Sequence, residues 1–232
     1  MTGDTPPVFL AYGHPTMSAP KSVQLDVAHF DNKARQWDEN PVFQERAQKI
    51  AQAVRESVPL HTGMHALDYG CGTGLLSFPL RDELGTLLLA DSSSGMLEVA
   101  NEKIAAQCVT NMTTQKLDLL VDAPPAQHFD LIVTSMTLHH VPDTDHILRV
   151  FRDLLHPGGY LCIADLDLED GSFHGVEVDV HHGFDRGELA RRAEGAGFAG
   201  VAFRTVFSIT KKSEAGTRDY PVFLMHARRM GA

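Results

Sequence analysis

The segment Leu67-Asp68-Tyr69-Gly70-Cys71-Gly72-Thr73-Gly74 constrains this chain more than any other. A short apolar run leads into glycines at alternate positions, and a helix-like stretch follows. Without Cβ atoms the backbone bends sharply there and lets a ligand come close. Taken alone, the triplet is also compatible with a simple tight turn. Its neighbours favour a ligand. Asp68 puts a carboxylate two residues ahead of Gly70, where a pyrophosphate would meet like-charge repulsion and a cationic head group is the better match. Leu75 stands where a nicotinamide-dinucleotide fingerprint places its last glycine. Asp91 closes the next apolar run, where a carboxylate can accept from both hydroxyls of a ribose. With Ser92 to Ser94 behind it, Asp91 is also a candidate helix cap.

The turn sits in a regular alternation. Pro41 suits the first position of a helix and Asn40 its cap. Phe43, Ala47, Ile50, Ala51, Val54 and Val58 then recur at helical spacing, and Pro59 stops the run. Strands are expected over residues 66–69, 86–90, 112–117, 129–135, 160–164, 201–209 and 222–226. Helices are expected over 74–84, 95–106, 145–155 and 186–196. Such alternation calls for a mostly parallel sheet with helices on both faces, an α/β doubly wound fold of seven strands. The short polar stretch from Lys211 to Asp219 lets the last two strands close as an antiparallel hairpin. Ligands in open α/β sheets sit beyond the carboxyl ends of the strands.

Composition narrows the function. The chain has 232 residues, 43% of them hydrophobic, enough for one core, so residues 26–232 are expected to form a single domain. Residues 1–25, rich in proline, are expected to be a flexible N-terminal extension. A formal net charge of -10 disfavours a nucleic-acid partner. Cys71, Cys108 and Cys162 are scattered, which fits a reducing compartment. No apolar run approaches the ~20 residues of a membrane span, and the N-terminus has no secretory pattern. A cytoplasmic protein without a membrane partner is expected, its oligomeric state open.

The glycine segment resembles the first motif of class I S-adenosylmethionine-dependent methyltransferases. Ala90-Asp91-Ser92-Ser93-Ser94-Gly95-Met96-Leu97 resembles their second, Lys116-Leu117-Asp118-Leu119 their third, and Phe129-Asp130-Leu131-Ile132-Val133-Thr134-Ser135-Met136-Thr137-Leu138-His139-His140-Val141 their fourth. Leu154-Leu155-His156-Pro157-Gly158-Gly159-Tyr160-Leu161 is similar to the turn before their fifth strand. The ordered set covers residues 30–166. It implies a Rossmann-like domain that takes a methyl group from S-adenosylmethionine, leaves S-adenosylhomocysteine, and acts on an O, N or C nucleophile of a small molecule. Gly70, Gly72 and Gly74, with Cys71 between them, would meet the methionine end of the cofactor, and Asp68 would favour its ammonium. Asp91 and Ser92 would hold the ribose. Met96 and Leu119 would sandwich the adenine and Asp118 would accept from its amine. Ser135 would border the cofactor at the end of the fourth strand. Trp37, in a segment like the family's closing N-terminal helix, would meet the sulfonium by cation–π attraction. The residues have plainer readings too: Met96 and Leu119 as core, Asp118 as a turn residue, Cys71 as a small buried residue, Trp37 as packing.

For chemistry, His139 and His140 are the candidate bases, since imidazole titrates near pH ~6.5; in this family the first histidine of such a pair is often structural. His174, His181 and His182 lie in the stretch from Asp165 to Phe184, a candidate substrate wall. The five histidines have no recognised ligand spacing, so no metal is expected. Ser135 and Met136 stand where a catechol-type magnesium site would place carboxylates. The Pro124-Pro125 pair precedes the fourth strand, the wrong place for a base-methylating motif. Two other functions remain open: a dinucleotide-dependent oxidoreductase, and a cofactor-binding module that acts through protein contacts without catalysis.

Overall fold

The structure, a computed structural model, describes residues 21–174, 180–213 and 216–231. Helix α1 (Lys21–Trp37) begins inside the segment expected to be an extension, and residues 1–20 lie outside the described ones. Helix α2 (Pro41–Ser57) starts as its sequence requires: the Asn40 side chain accepts the Val42 amide, and Pro41 opens the first turn. Its Ile50, Ala51 and Val54 face the core.

Seven strands follow: β1 (His65–Tyr69), β2 (Thr86–Asp91), β3 (Met112–Lys116), β4 (Phe129–Ser135), β5 (Leu155–Leu166), β6 (Phe198–Ser213) and β7 (Gly216–Arg229). They form one sheet in the order β3-β2-β1-β4-β5-β7-β6. β1 to β5 are parallel, and β7 inserts antiparallel between β5 and β6. The expected doubly wound sheet with its C-terminal hairpin is the observed one. The strand order reverses between β1 and β4, which puts the topological switch point beside the glycine turn.

Strand parity builds two cores. Ala66, Leu87, Leu89, Leu131, Val133 and Cys162 pack on the face covered by Ile50 and Val54 of α2. Leu67, Tyr69, Leu88, Ile132 and Leu161 pack on the other, against Ile147, Leu148 and Phe151 of α5 (Thr144–Leu154) and Leu189 of α6 (Arg186–Gly195). Alternation along β1 places Asp68 with Ala66 on the α2 side.

Three elements differ from the sequence expectation. The helix expected over 74–84 is only a short α3 (Ser77–Leu80) and a 3-10 turn (Arg81–Glu83), because Gly74 holds a left-handed φ of 84° that a helix cannot include. The polar stretch from Lys211 to Asp219 is mostly paired strand, with Thr210 opposite Asp219 and Lys211 opposite Arg218. β5 starts at Leu155, and its register against β4 jumps between Phe129 and Leu131 to take up the His156–Gly159 turn.

Candidate functional site

At the carboxyl end of β1 the chain turns through Gly70 and Gly72, with φ of 71° and 54°. The two glycines answer different demands. A Cβ on Gly70 would meet Thr137 side-chain atoms at 2.3 Å, so the β4 loop requires glycine there. A Cβ on Gly72 would meet only the Met96 sulfur, at 3.9 Å. The protein leaves that side of Gly72 open, as a backbone cradle for a ligand would.

Asp91, at the end of β2, shapes this loop. Its Oδ2 accepts the Gly72 amide at 2.7 Å and its Oδ1 the Ser93 amide at 2.8 Å. The cap of helix α4 (Ser94–Ala106) is Ser93, which accepts the Met96 amide, so Asp91 is not that cap. Burial raises the Asp91 carboxyl above its usual range, opposed by the Ser93 and Gly72 amides, while Asp31 adds to the rise. Ser92 follows directly, half-buried. Asp68 is 1% exposed and its Oδ2 accepts the Ser77 hydroxyl at 2.6 Å. Burial pushes it up to about 7; Ser77 opposes this and the Asp91 charge adds to it. Cys71 is buried, and burial, with the Asp68 and Asp91 charges, raises its thiol well above the ordinary value. It is neutral at pH 7, a small packing residue.

Met96 is 2% exposed yet belongs to neither apolar core, whereas Leu119 belongs to the α5-side core. The Leu119 amide donates to the Tyr69 hydroxyl at 3.2 Å. Asp118 makes a turn, accepting the Leu120 amide at 3.0 Å. Ser135 is half-buried, and Thr137 bridges its carbonyl to that of Gly70.

Helix α1 lies across the site. Asp31 accepts from the Ser93 hydroxyl at 2.6 Å and the Gly95 amide at 2.8 Å. Just past its carboxyl end Asp38 accepts from Thr73 at 2.5 Å and Lys103 at 2.6 Å, and Lys103 also donates to the Thr73 carbonyl. Trp37 packs between Phe30 and Phe43, with ring centroids at 5.8 and 4.7 Å, the packing reading of that residue. Phe30 reaches the histidines, 5.5 Å from His140.

Beyond β4, the 3-10 turn Leu138–His140 holds His139 at 1% exposure and His140 half-buried. His139 Nδ1 lies 2.7 Å from Asp165 Oδ1, and Asp165 Oδ2 accepts the His139 amide. Burial pushes the Asp165 carboxyl up, but His139 and the backbone amides outweigh it and hold it below the usual range. Sequence reasoning missed Asp165. The available signal was a carboxylate inside the apolar run Leu161–Leu166, since a buried charge needs a partner. Arg46 was missed too: it is buried on α2, its guanidinium 5.0 Å from the Phe43 ring centre, in the field of Asp165, and burial lowers it to about 10. His174 joins His139 and His140, whereas His181 bonds the Val141 carbonyl and His182 is exposed. Burial, with the neighbouring His139 and His140, lowers His174 to about 3. Residues 175–179 of the expected substrate wall lie outside the described residues.

A cavity of about 400 Å³ lined by His65, Thr86, Asn111 and His128 opens at the amino ends of the strands, away from all these groups. No helix among the described residues is long and apolar enough to cross a membrane.

Comparison with known proteins agrees with this geometry. A family described as a methyltransferase domain matches residues 60–204. The ubiquinone biosynthesis O-methyltransferase of Coxiella burnetii is 30% identical over 156 residues, 66% of each chain. The fission-yeast (Schizosaccharomyces pombe) uncharacterized methyltransferase C1347.09 is 35% identical over 121 residues, 49% of this chain and 43% of that one. The chain thus spans from 43% to 66% of the length of these relatives. In fold it is similar to the Haemonchus contortus phosphoethanolamine N-methyltransferase 2 solved with S-adenosyl-L-methionine, at a TM-score of 0.64 and 18% identity, covering 79% of this chain and 52% of that one. From the glycine turn, the sheet order and the matched model together, the chain belongs to the methyltransferase-domain family of the class I S-adenosylmethionine-dependent superfamily.

Proposed function

We propose that the protein transfers a methyl group from S-adenosylmethionine to an O, N or C nucleophile of a small-molecule acceptor. The observation that carries this reading is the Gly72 cradle. It is left-handed, tied to Asp91, open where a Cβ would stand, and placed at the switch point of the sheet. When bound, the cofactor supplies a sulfonium-activated methyl, so the chemistry needs alignment more than bond-making groups from the protein.

The chain's residues divide the work. Gly70, Gly72 and Gly74 shape the loop around the methionine end, and ionised Asp68 favours its positive charge. Asp91 would offer its remaining lone pairs to the ribose, with Ser92 beside it. Met96 of α4 would border the adenine on one side, and Leu119 and Asp118, in the turn after β3, would border it on the other. Ser135, joined to Gly70 through Thr137, would border the methyl end, and α1 with Trp37 would shield the site from water.

Acceptors that arrive protonated need a base. Asp165 orients His139 by accepting from Nδ1, and so keeps the Nε2 lone pair available. His140 packs on His139 with ring centroids 4.2 Å apart and is the more accessible of the two. For such an acceptor the imidazole would take up the proton that the nucleophile gives up on methylation.

The test is calorimetry followed by turnover. S-adenosylmethionine should bind and reduced nicotinamide cofactor should not, and phenols, amines and enolisable carbonyls should be screened for S-adenosylhomocysteine release. Binding without release from any acceptor would point to a silent cofactor-binding module instead.

A further inference from the structure

His139 and His140 end the β4 loop, and His174 comes from the segment after β5. One ligand-capable atom from each lies within 4.8 Å of the others. Their ring centroids are separated by 4.2, 4.9 and 5.4 Å.

Two further observations point the cluster at a ligand. The Nε2 of His174 is buried and makes no hydrogen bond, an arrangement that is costly if nothing binds there. His139 gives its Nδ1 to Asp165, the carboxylate–histidine pairing that fixes the tautomer of a metal ligand, raises its basicity and leaves Nε2 to coordinate. His174 is itself held in place: Phe173 packs on it at 4.8 Å and on Tyr220 at 5.1 Å.

From this geometry we infer that His139, His140 and His174 form a binding site for a divalent transition-metal ion of the zinc class, with one coordination position left for an oxygen or nitrogen of the acceptor. An all-nitrogen donor set suits borderline ions such as Zn²⁺ and Co²⁺ and discriminates against Mg²⁺ and Ca²⁺, which prefer oxygen. Metal–nitrogen bonds of about 2.0–2.1 Å set the nitrogens about 3.3 Å apart, so the cluster closes by side-chain movements of about 1 Å. Among the described residues the cluster supplies three ligands, the number that catalytic zinc sites take from protein. With the ion bound, the coordinated lone pairs no longer accept a proton, and the ion instead would acidify an O–H or N–H of the acceptor; that fourth ligand rests on the methyl-transfer reading, and the binding of the ion does not.

The experiment uses the full chain, stripped with chelator and titrated with Zn²⁺ by calorimetry and with Co²⁺ by visible absorption. One ion per chain is expected, with the intense bands of four- or five-coordinate Co²⁺. His174→Ala and His140→Ala should each weaken binding by roughly 100-fold or more, and Asp165→Asn by about 10–100-fold. His128→Ala, in an imidazole pair with His156 away from the cluster, should leave it unchanged. Circular dichroism establishes that each variant is folded. Absence of saturable binding, a weak six-coordinate Co²⁺ spectrum, or affinity undiminished by His174→Ala and His140→Ala would overturn the inference. S-adenosylmethionine binding measured on the same samples separates failure of this site from failure of the methyltransferase reading.

Discussion

The carboxylate of Asp91 accepts the Gly72 amide at 2.7 Å, so the residue that ends β2 sets the shape of the loop that ends β1. The pair joins neighbouring strands across the site, and the cofactor would have to fit the loop it defines.

Asp91→Ala should therefore weaken S-adenosylmethionine binding twice over, through the lost ribose contact and the loosened loop. Hydrogen bonds to a charged group contribute about 1.5–3 kcal/mol, so a decrease of roughly 10- to 150-fold is expected by calorimetry. Unchanged affinity would remove the ribose assignment.

Gly70→Ala and Gly72→Ala should separate stability from binding. At position 70 the new methyl collides with Thr137, and the melting temperature should drop sharply. At position 72 only the left-handed strain of about 1–2 kcal/mol is felt by the fold. Cofactor affinity should nevertheless fall by at least tenfold, because the methyl occupies the cradle. Equal losses of affinity and stability at the two positions would contradict the distinction.

Asp68 makes binding depend on pH. Its folded-state carboxyl lies near 7, above the ordinary value of 3.8, because burial disfavours its charge. The folded state thus holds this proton more tightly than the unfolded one. The contribution to stability is fully present at acid pH below 4 and is lost as pH rises through about 7. A cationic ligand favours the ionised form, so binding should release a proton, and affinity should decline as pH falls below about 7. Asp68→Asn should flatten that profile. A wild-type affinity independent of pH between 5.5 and 8 would refute the coupling.

The clamp from Asp38 to Lys103 and Thr73 should govern how α1 closes. Lys103→Met is expected to speed amide exchange at the end of α1 and to raise the cofactor dissociation constant by about three- to tenfold, with kcat at saturation little changed. A lowered kcat at unchanged affinity would place Lys103 in a different role. Partly exposed ion pairs are individually weak, so the expected effect is modest.

Much of the candidate site was legible because its signals are local. Gly70, Gly72, Asp68 and Asp91 declare themselves by residue type at the ends of apolar runs. Met96 was ambiguous between core and ligand wall; its burial outside both apolar cores favours the wall. Trp37 was equally ambiguous, and here the aromatic packing with Phe30 and Phe43 is what the fold displays. The truncated α3 was misjudged because apolar periodicity over 74–84 says nothing of the φ that the turn imposes on Gly74.

The sequence by itself determined the strand and helix periods, the two-sided sheet and the turn that marks its binding edge, since each depends on residues a few positions apart. Only the tertiary structure decided that Asp165 would orient His139, that His174 would approach both β4 histidines, and that α1 would stretch from the Asp38 clamp to Phe30 beside His140. Those meetings depend on which strands become neighbours and where a crossover returns. Contact across the sheet is set by packing of the whole chain, which no short window of residues encodes.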